Sequence, residues 1–212
     1  MAADYILAGA LAYLLGSIPF GLILVKAFRG LDVRTTGSGN IGTANVARVA
    51  PGLGAMTLLL DSAKGLVAVL IARAIANHAM AGSPDRRTLA FFIGLSALLA
   101  IIGHVFTVWL KFKGGKGVAT ALGAFLGVMP WAILICLIVY IAIYAMWHYT
   151  SLASITTAAL FPVLAGFMMP AIQRPILLPF LVAASLLIVV KHHGNIRRLL
   201  AGTENRLDLK RR

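Results

Sequence analysis

The chain is predicted to be all-α: a polytopic integral membrane protein of seven transmembrane helices, N-terminus outside and C-terminus cytoplasmic. Three observations carry this prediction. Of 212 residues, 60% are hydrophobic and 12% charged, with a mean hydropathy of +0.94, which leaves too little polar surface to cover a soluble domain. The apolar residues are gathered into long runs, several near the ~20 residues that cross a ~30 Å hydrocarbon core. Lys and Arg are shared very unequally between alternate loops.

Tyr5–Phe28 is the first run. It lacks a basic leader and is too long for a signal sequence, so it reads as a retained span. Leu53–Ala76, Leu89–Trp109, Trp131–Trp147, Leu152–Met169 and Ile176–Val190 supply five more. Val118–Val128 covers only ~16 Å as a helix and is separated from the next run by Pro130. It is either a short span through protein-lined space or the first half of a kinked helix. Charge placement favours the former. With the first loop inside, the inner side carries Lys26, Arg29, Arg34, Arg48, Lys111, Lys113, Lys116, Lys191, Arg197, Arg198, Arg206, Lys210, Arg211 and Arg212. The outer side keeps Arg73, Arg86, Arg87 and Arg174, and Lys64 lies within a span. That is fourteen against four, as the positive-inside rule requires, and the basic tail is inside only if the number of spans is odd. No repeat or separate soluble domain interrupts residues 1–212; a short tail begins near residue 191.

The formal net charge of +13 would raise nucleic acid as a partner in a soluble protein. Here no nucleic acid is expected. Positive-inside topology and contact with anionic membrane lipids account for the charge, and an anionic substrate is compatible with both. The single cysteine, Cys136, excludes an internal disulfide or a Cys-based metal site. His192 and His193 are adjacent and would diverge by ~100° on a helix. His78 falls on the outer side, and a lone His104 in a span reads as a packing or hydrogen-bonding group. No metal is expected.

The topology places four informative stretches on one face: "RTTGSGNIGTANVAR", "FKGGKGVAT", "HYTSLASI" and "KHHGNIRRLLAGTENR". Gly37, Gly39 and Gly42 match a dinucleotide-binding spacing, with Asp61 further on. That motif needs a preceding strand, and here apolar spans flank it. An ordinary turn-rich loop is one reading. The other is an anion nest of glycine amides with Thr35, Thr36, Ser38 and Asn40 as short donors. Arg48 weighs toward the anion, since guanidinium matches phosphate bidentately. Gly114-Gly115-Lys116-Gly117 is not a Walker A sequence, but it sets a lysine at the start of the Val118 helix, where unpaired amides and the helix dipole favour an anion. Lys111 and Lys113 read as membrane-edge anchors. Asp61 and Lys64, at i, i+3 within a span, read as a structural ion pair, with a proton or ion relay as the alternative.

Read together, "GSIPFG", "DVRTTGSGNIG", Asp61 with Lys64-Gly65, "GHVF", "FKGGKGVAT" and "KHHGNIRRLLAGTE" resemble the bacterial acyl-phosphate:glycerol-3-phosphate acyltransferases, the PlsY family. The resemblance runs in order from Gly16 to Glu204. It implies an enzyme of the bacterial inner (cytoplasmic) membrane with its site facing the cytoplasm. The enzyme would move a fatty acyl group from acyl phosphate to the 1-hydroxyl of sn-glycerol 3-phosphate, giving lysophosphatidic acid and phosphate, the first step of phospholipid synthesis. Both substrates are phosphorylated, matching two basic glycine-rich loops, and the activated anhydride needs no cofactor. The enzyme that makes acyl phosphate is a further expected partner.

The resemblance also assigns residues. Ser38, Lys116, His192 and Asn195 are expected in catalysis. Gly37, Ser38, Gly39, Asn40, Gly42, Arg48, Gly114, Gly115, Lys116, Gly117 and Ser151 are expected around substrate phosphate, and Asp61, Lys64 and Glu204 in structural roles. If the last span continues as a helix past Lys191, His192 and Asn195 share one face while His193 and Arg197 share another. One departure is visible: the family usually reads G-A-T-N where this chain has Gly42-Thr43-Ala44-Asn45, so the hydroxyl has moved by one position. The H-x-x-x-x-D dyad of another acyltransferase superfamily is missing, since Trp109, Ala153 and Arg197 stand five residues after His104, His148 and His192. No Ser–His–Asp arrangement is evident either, so direct attack without an acyl-enzyme is expected. A transporter of organic phosphates is the alternative, but polar residues gathered at one face favour an interfacial enzyme.

Overall fold

A computed structural model describes residues 1–207; the expected basic triplet Lys210, Arg211 and Arg212 lies outside the described residues. The described chain is helical: α1 (Ala2–Ser17), α2 (Phe20–Arg29), α3 (Thr43–Val49), α4 (Pro51–Ala79), α5 (Arg86–Val105), α6 (Val118–Val128), α7 (Pro130–Trp147), α8 (Thr150–Met168), α9 (Arg174–Lys191) and α10 (His193–Leu200), with single 3-10 turns at Val33–Thr35 and Val108–Leu110. Six stretches are long and apolar enough to cross a membrane: α1 with α2, α4, α5 with its following turn, α7, α8 and α9. Local chemistry sets the boundaries. Pro51 and Pro130 open α4 and α7 at positions that need no amide donor. The Asp85 carboxylate caps α5 by accepting from the amides of Arg87 (2.8 Å) and Thr88 (3.1 Å). Gly30, at φ +65°, ends α2.

The first apolar run is not one helix. It breaks at Ile18-Pro19, where both residues leave the helical region. A break inside a span exposes carbonyls that water cannot reach, so side chains must satisfy them. Lys64 Nζ donates to the Ile18 carbonyl at 2.7 Å and pairs with Asp61 Oδ1 at 2.7 Å, both side chains being 2% exposed. The Thr107 hydroxyl donates to the Ser17 carbonyl, and the Tyr13 hydroxyl to that of Phe106 at 2.8 Å. The Asp61–Lys64 pair is thus also a bracket for the broken helix, which its i, i+3 spacing alone does not reveal.

α6 and α7 are separate helices rather than halves of a kinked one, because Met129 (φ −142°, ψ 76°) is non-helical. At 11 residues α6 is too short to cross a ~30 Å hydrocarbon core exposed to lipid, and it is held against α4 at very close range. A Cβ on Gly65 would strike the Thr120 carbonyl, and one on Gly123 the Ser62 carbonyl. Small residues let helix backbones approach in this way where lipid gives no hydrophobic drive to pair. Arg73, expected at the outer end of the second span, lies within α4 and donates to the Gly127 carbonyl at 2.8 Å, closing the end of α6. On the other face of α6, Phe125 stacks on Phe161 of α8 with centroids 4.0 Å apart. This packing brings the α2–α4, α5–α6, α7–α8 and α9–α10 connections around one cavity of about 290 Å³.

Candidate active site

The α2–α4 loop is organised by one residue. Asn45 is 1% exposed. Its Nδ2 donates to the carbonyls of Val33 (3.0 Å), Thr36 (3.1 Å) and Asn40 (2.9 Å), and its Oδ1 accepts from the Ser38 amide at 2.8 Å. A Cβ on Gly37, at φ +52°, would collide with that Oδ1. The Gly42 amide donates to Asn40 Oδ1 (2.8 Å) and the Gly39 amide to the Thr36 carbonyl (2.9 Å). The loop therefore differs from the expected open nest, because the amides of Ser38, Gly39 and Gly42 are already bonded within it. What lines the cavity is Ser38, Asn40, Gly42, Thr43 and Arg48. The displaced hydroxyl, Thr43 Oγ1, is buried with no hydrogen-bond partner among the described residues.

The second loop is corrected in the same sense. The amide of Gly114 donates to the Val105 carbonyl and that of Gly115 to the His104 carbonyl, both at 3.0 Å. A Cβ on Gly114 would strike the His104 carbonyl, and one on Gly115 the imidazole. These two glycines clamp the loop to the end of α5 rather than offering amides to an anion. Gly117, at φ +87°, turns the chain into α6, whose first turn keeps its unpaired amides. Lys116 lines the cavity, while Lys111 and Lys113 are exposed.

Three of the four stretches meet in one hydrogen-bonded chain, and the first reaches the same corner through Arg48. Lys116 Nζ donates to Asn195 Oδ1. Asn195 Nδ2 donates to Glu204 Oε1 at 2.6 Å, the Ser151 hydroxyl to the same oxygen at 2.8 Å, and Arg198 Nε to Glu204 Oε2 at 2.7 Å. Burial raises the Glu204 pKa, but the donors Asn195, Ser151 and Arg198 outweigh it and hold the carboxyl below its usual value. Lys116 is lowered from 10.5 to about 8, mainly by burial, with Glu204 opposing and Arg198 and Arg48 adding to the fall. Arg48, half-buried, donates to the Asn205 carbonyl at 3.4 Å. The tail folds back over this corner: the Leu207 amide donates to the His148 carbonyl (2.9 Å), and the Tyr144 hydroxyl to the Leu207 carbonyl (2.8 Å).

The last span does not continue as one helix. α9 ends at Lys191, His192 is non-helical (φ −93°, ψ 7°), and α10 starts at His193. Even so, His192 (2% exposed) and Asn195 (8% exposed) are buried, while His193 and Arg197 are exposed. His192 Nδ1 lies 2.8 Å from the Ile188 carbonyl. A carbonyl only accepts, so Nδ1 carries the proton and Nε2 is the acceptor. Burial, then the Lys116 charge, lower His192 to about 4, so it is neutral near pH 7.

Of the expected residues, Ser38, Asn40, Gly42, Arg48, Asp61, Lys116, Gly117, Ser151, His192, Asn195 and Glu204 line the cavity, whereas Gly37, Gly39, Gly114, Gly115 and Lys64 support its walls. Asn45, Thr43, His104 and Arg198 line it as well and were not expected. Arg198 could have been found, since it stands three residues after Asn195 at helical spacing. Beyond the polar end the cavity becomes an apolar limb formed by Leu58, Leu122, Phe125, Ile133, Leu137 and Phe161. Leu58 and Leu137 are also 41% and 40% exposed, so the limb opens laterally between α4 and α7.

Comparison with known proteins agrees with this arrangement. The chain is 47% identical over 195 residues to a glycerol-3-phosphate acyltransferase of Geotalea daltonii, covering 92% of this chain and 93% of that one. It is 48% identical over 198 residues to one of Geobacter sulfurreducens (93% and 94% covered), and 44% identical over 211 residues to one of Mesorhizobium japonicum (99% and 100% covered). The crystal structure of PlsY, an integral membrane glycerol 3-phosphate acyltransferase, in its glycerol 3-phosphate form superposes with a TM-score of 0.84 at 34% identity, covering 96% of each chain. The lysophosphatidic acid form gives a TM-score of 0.82 at 33% identity, covering 97% of this chain and 96% of that one. The profile of the glycerol-3-phosphate acyltransferase family matches residues 6–202, and the chain belongs to that family.

Proposed function

We propose that this protein transfers a fatty acyl group from acyl phosphate to the 1-hydroxyl of sn-glycerol 3-phosphate, at the cytoplasmic face of a bacterial inner membrane. One observation carries the reading: a single cavity joins a cationic polar end, with Arg48, Lys116 and Arg198, to an apolar limb that opens sideways between α4 and α7. That is the shape and polarity of a lysophosphatidic acid with its chain toward the bilayer. Relatives solved with glycerol 3-phosphate and with lysophosphatidic acid support it.

In this reading Lys116 and the first turn of α6 hold one phosphate. Ser38, Thr43 and Arg48 face the other. Fixing both phosphates places the glycerol oxygen against the acyl carbonyl carbon, and this positioning supplies much of the rate. The new C–O ester bond forms as the bond from carbonyl carbon to phosphate oxygen breaks, and the electron pair leaves with phosphate. His192 Nε2 accepts a hydrogen bond from the attacking hydroxyl and aligns it. With a pKa of about 4, His192 is a weaker base than phosphate, whose second pKa in a monoester is ~6, so the proton ends on phosphate. Cations at the polar end offset the charge developing there. No acyl-enzyme is formed.

Purified protein given acyl phosphate and glycerol 3-phosphate should release inorganic phosphate and form lysophosphatidic acid in equal amounts. Acyl-coenzyme A should not replace acyl phosphate. Movement of glycerol 3-phosphate across vesicles without phosphate release would favour a transporter instead.

The accompanying topology has seven crossings, with α6 completing the count inside protein. Reporters fused after Arg48, Lys116 and Arg206 should register cytoplasm, and one near Pro84 the periplasm. A tail reporter outside would overturn it.

A further inference from the structure

We propose that His104 is a positioning residue for Lys116, acting through the Gly114–Gly115 clamp and held from behind by Asp61. His104 lies in the last turn of α5 and is 4% exposed. Its ring lies against Gly115 so closely that a Cβ there would overlap Nε2, and its carbonyl accepts the Gly115 amide at 3.0 Å. Lys116, the next residue, hangs from this contact. On the other side of the ring, Nδ1 has no hydrogen-bond partner among the described residues and lies 3.8 Å from Asp61 Oδ1.

That separation exceeds a direct hydrogen bond, and a small rotation of the ring or one water would close it. Asp61 is itself immobilised by Lys64, which is tied to the Ile18 carbonyl. A rigid buried line therefore runs from the break in the first span, through Lys64 and Asp61, to the imidazole and the loop that carries Lys116. The proposed acyl transfer uses neither Asp61 nor His104, although both line the cavity. Packing alone would be served by any side chain of this volume, and a ring nitrogen turned toward a buried carboxylate is not needed for packing.

The inference rests on Lys116 holding a substrate phosphate, so its test also uses a readout that is independent of substrate. His104→Leu keeps volume and removes both ring nitrogens, His104→Gln keeps polar reach, and His104→Ala leaves a space open to the cavity. His104→Leu should retain the thermal unfolding midpoint, since removing an unpartnered buried polar atom costs little. Its kcat/KM for glycerol 3-phosphate should fall on the order of a hundredfold, the scale of a small misplacement. His104→Gln should keep most activity, and added imidazole should restore His104→Ala. In parallel, the pH-dependent rate of amine labelling at Lys116, followed by mass spectrometry, should change several-fold in His104→Leu. Unchanged Lys116 labelling and activity in His104→Leu would overturn the inference. So would losses in His104→Leu and His104→Gln that simply track lowered melting without imidazole rescue in His104→Ala. Altered Lys116 labelling in His104→Leu, with a wild-type protein that proves inactive toward acyl phosphate, would instead remove the functional reading and leave the positioning role standing.

Discussion

Replacing Lys116 by Ala is expected to reduce turnover ~10²–10³-fold, the scale seen when one preorganised electrostatic contact to the transition state is removed. The ammonium is the charge nearest the start of α6, and its only hydrogen bond among the described residues is to Asn195 Oδ1. Its other donors are therefore open to substrate. Lys113→Ala is the matched control. That side chain is exposed, and a lone interfacial charge is worth ~1 kcal/mol, so activity should stay within a few fold. Equal losses in two folded variants would replace a specific contact with general loop electrostatics. The same site predicts a pH limb. Burial leaves Lys116 titrating near 8 in the free protein, and kcat/KM reports free-enzyme groups. The charged form binds phosphate, so kcat/KM for glycerol 3-phosphate should fall as pH rises through about 8. A flat profile to well above that point would mean that the charge of Lys116 is not used in binding.

His192→Ala should lower kcat by ~10²-fold or more, the scale of a misplaced attacking hydroxyl, with folding retained. His193→Ala should remain within a few fold, because that ring is exposed and turned to the Val190 carbonyl at 3.1 Å. Asn195→Ala should be nearly as damaging as Lys116→Ala, but for a different reason. The amide joins Lys116 to Glu204, so its loss frees the ammonium and removes a donor from a carboxylate whose single charged partner among the described residues is Arg198. A double variant Lys116→Ala, Asn195→Ala should then lose little beyond the worse single, whereas fully additive losses would assign Asn195 an independent contact with substrate. If His193→Ala proves inactive and His192→Ala active, the proposed role of His192 is wrong.

The sequence by itself determined the class of this protein. Runs of about twenty apolar residues and a low share of charged residues are local or compositional signals, and they decide helix and membrane without any long-range contact. The four polar stretches are local signals too, and topology alone gathers them on one face. Only the tertiary structure decided how their atoms are used. A glycine in a loop reads the same whether its amide awaits an anion or is bonded to a carbonyl at the end of the preceding helix, so Gly114 and Gly115 were indistinguishable from Gly117 until the loop was seen folded back on α5. Asn45 gave no sign that it stitches its loop, because its partners lie five to twelve residues back. Lys64 read as the partner of Asp61 within a span, and Arg73 as a charge on the outer side. Each also donates to a carbonyl, one released by the break at Ile18 and one at the end of the short α6, and in a medium without water such unpaired carbonyls dictate where the cations go.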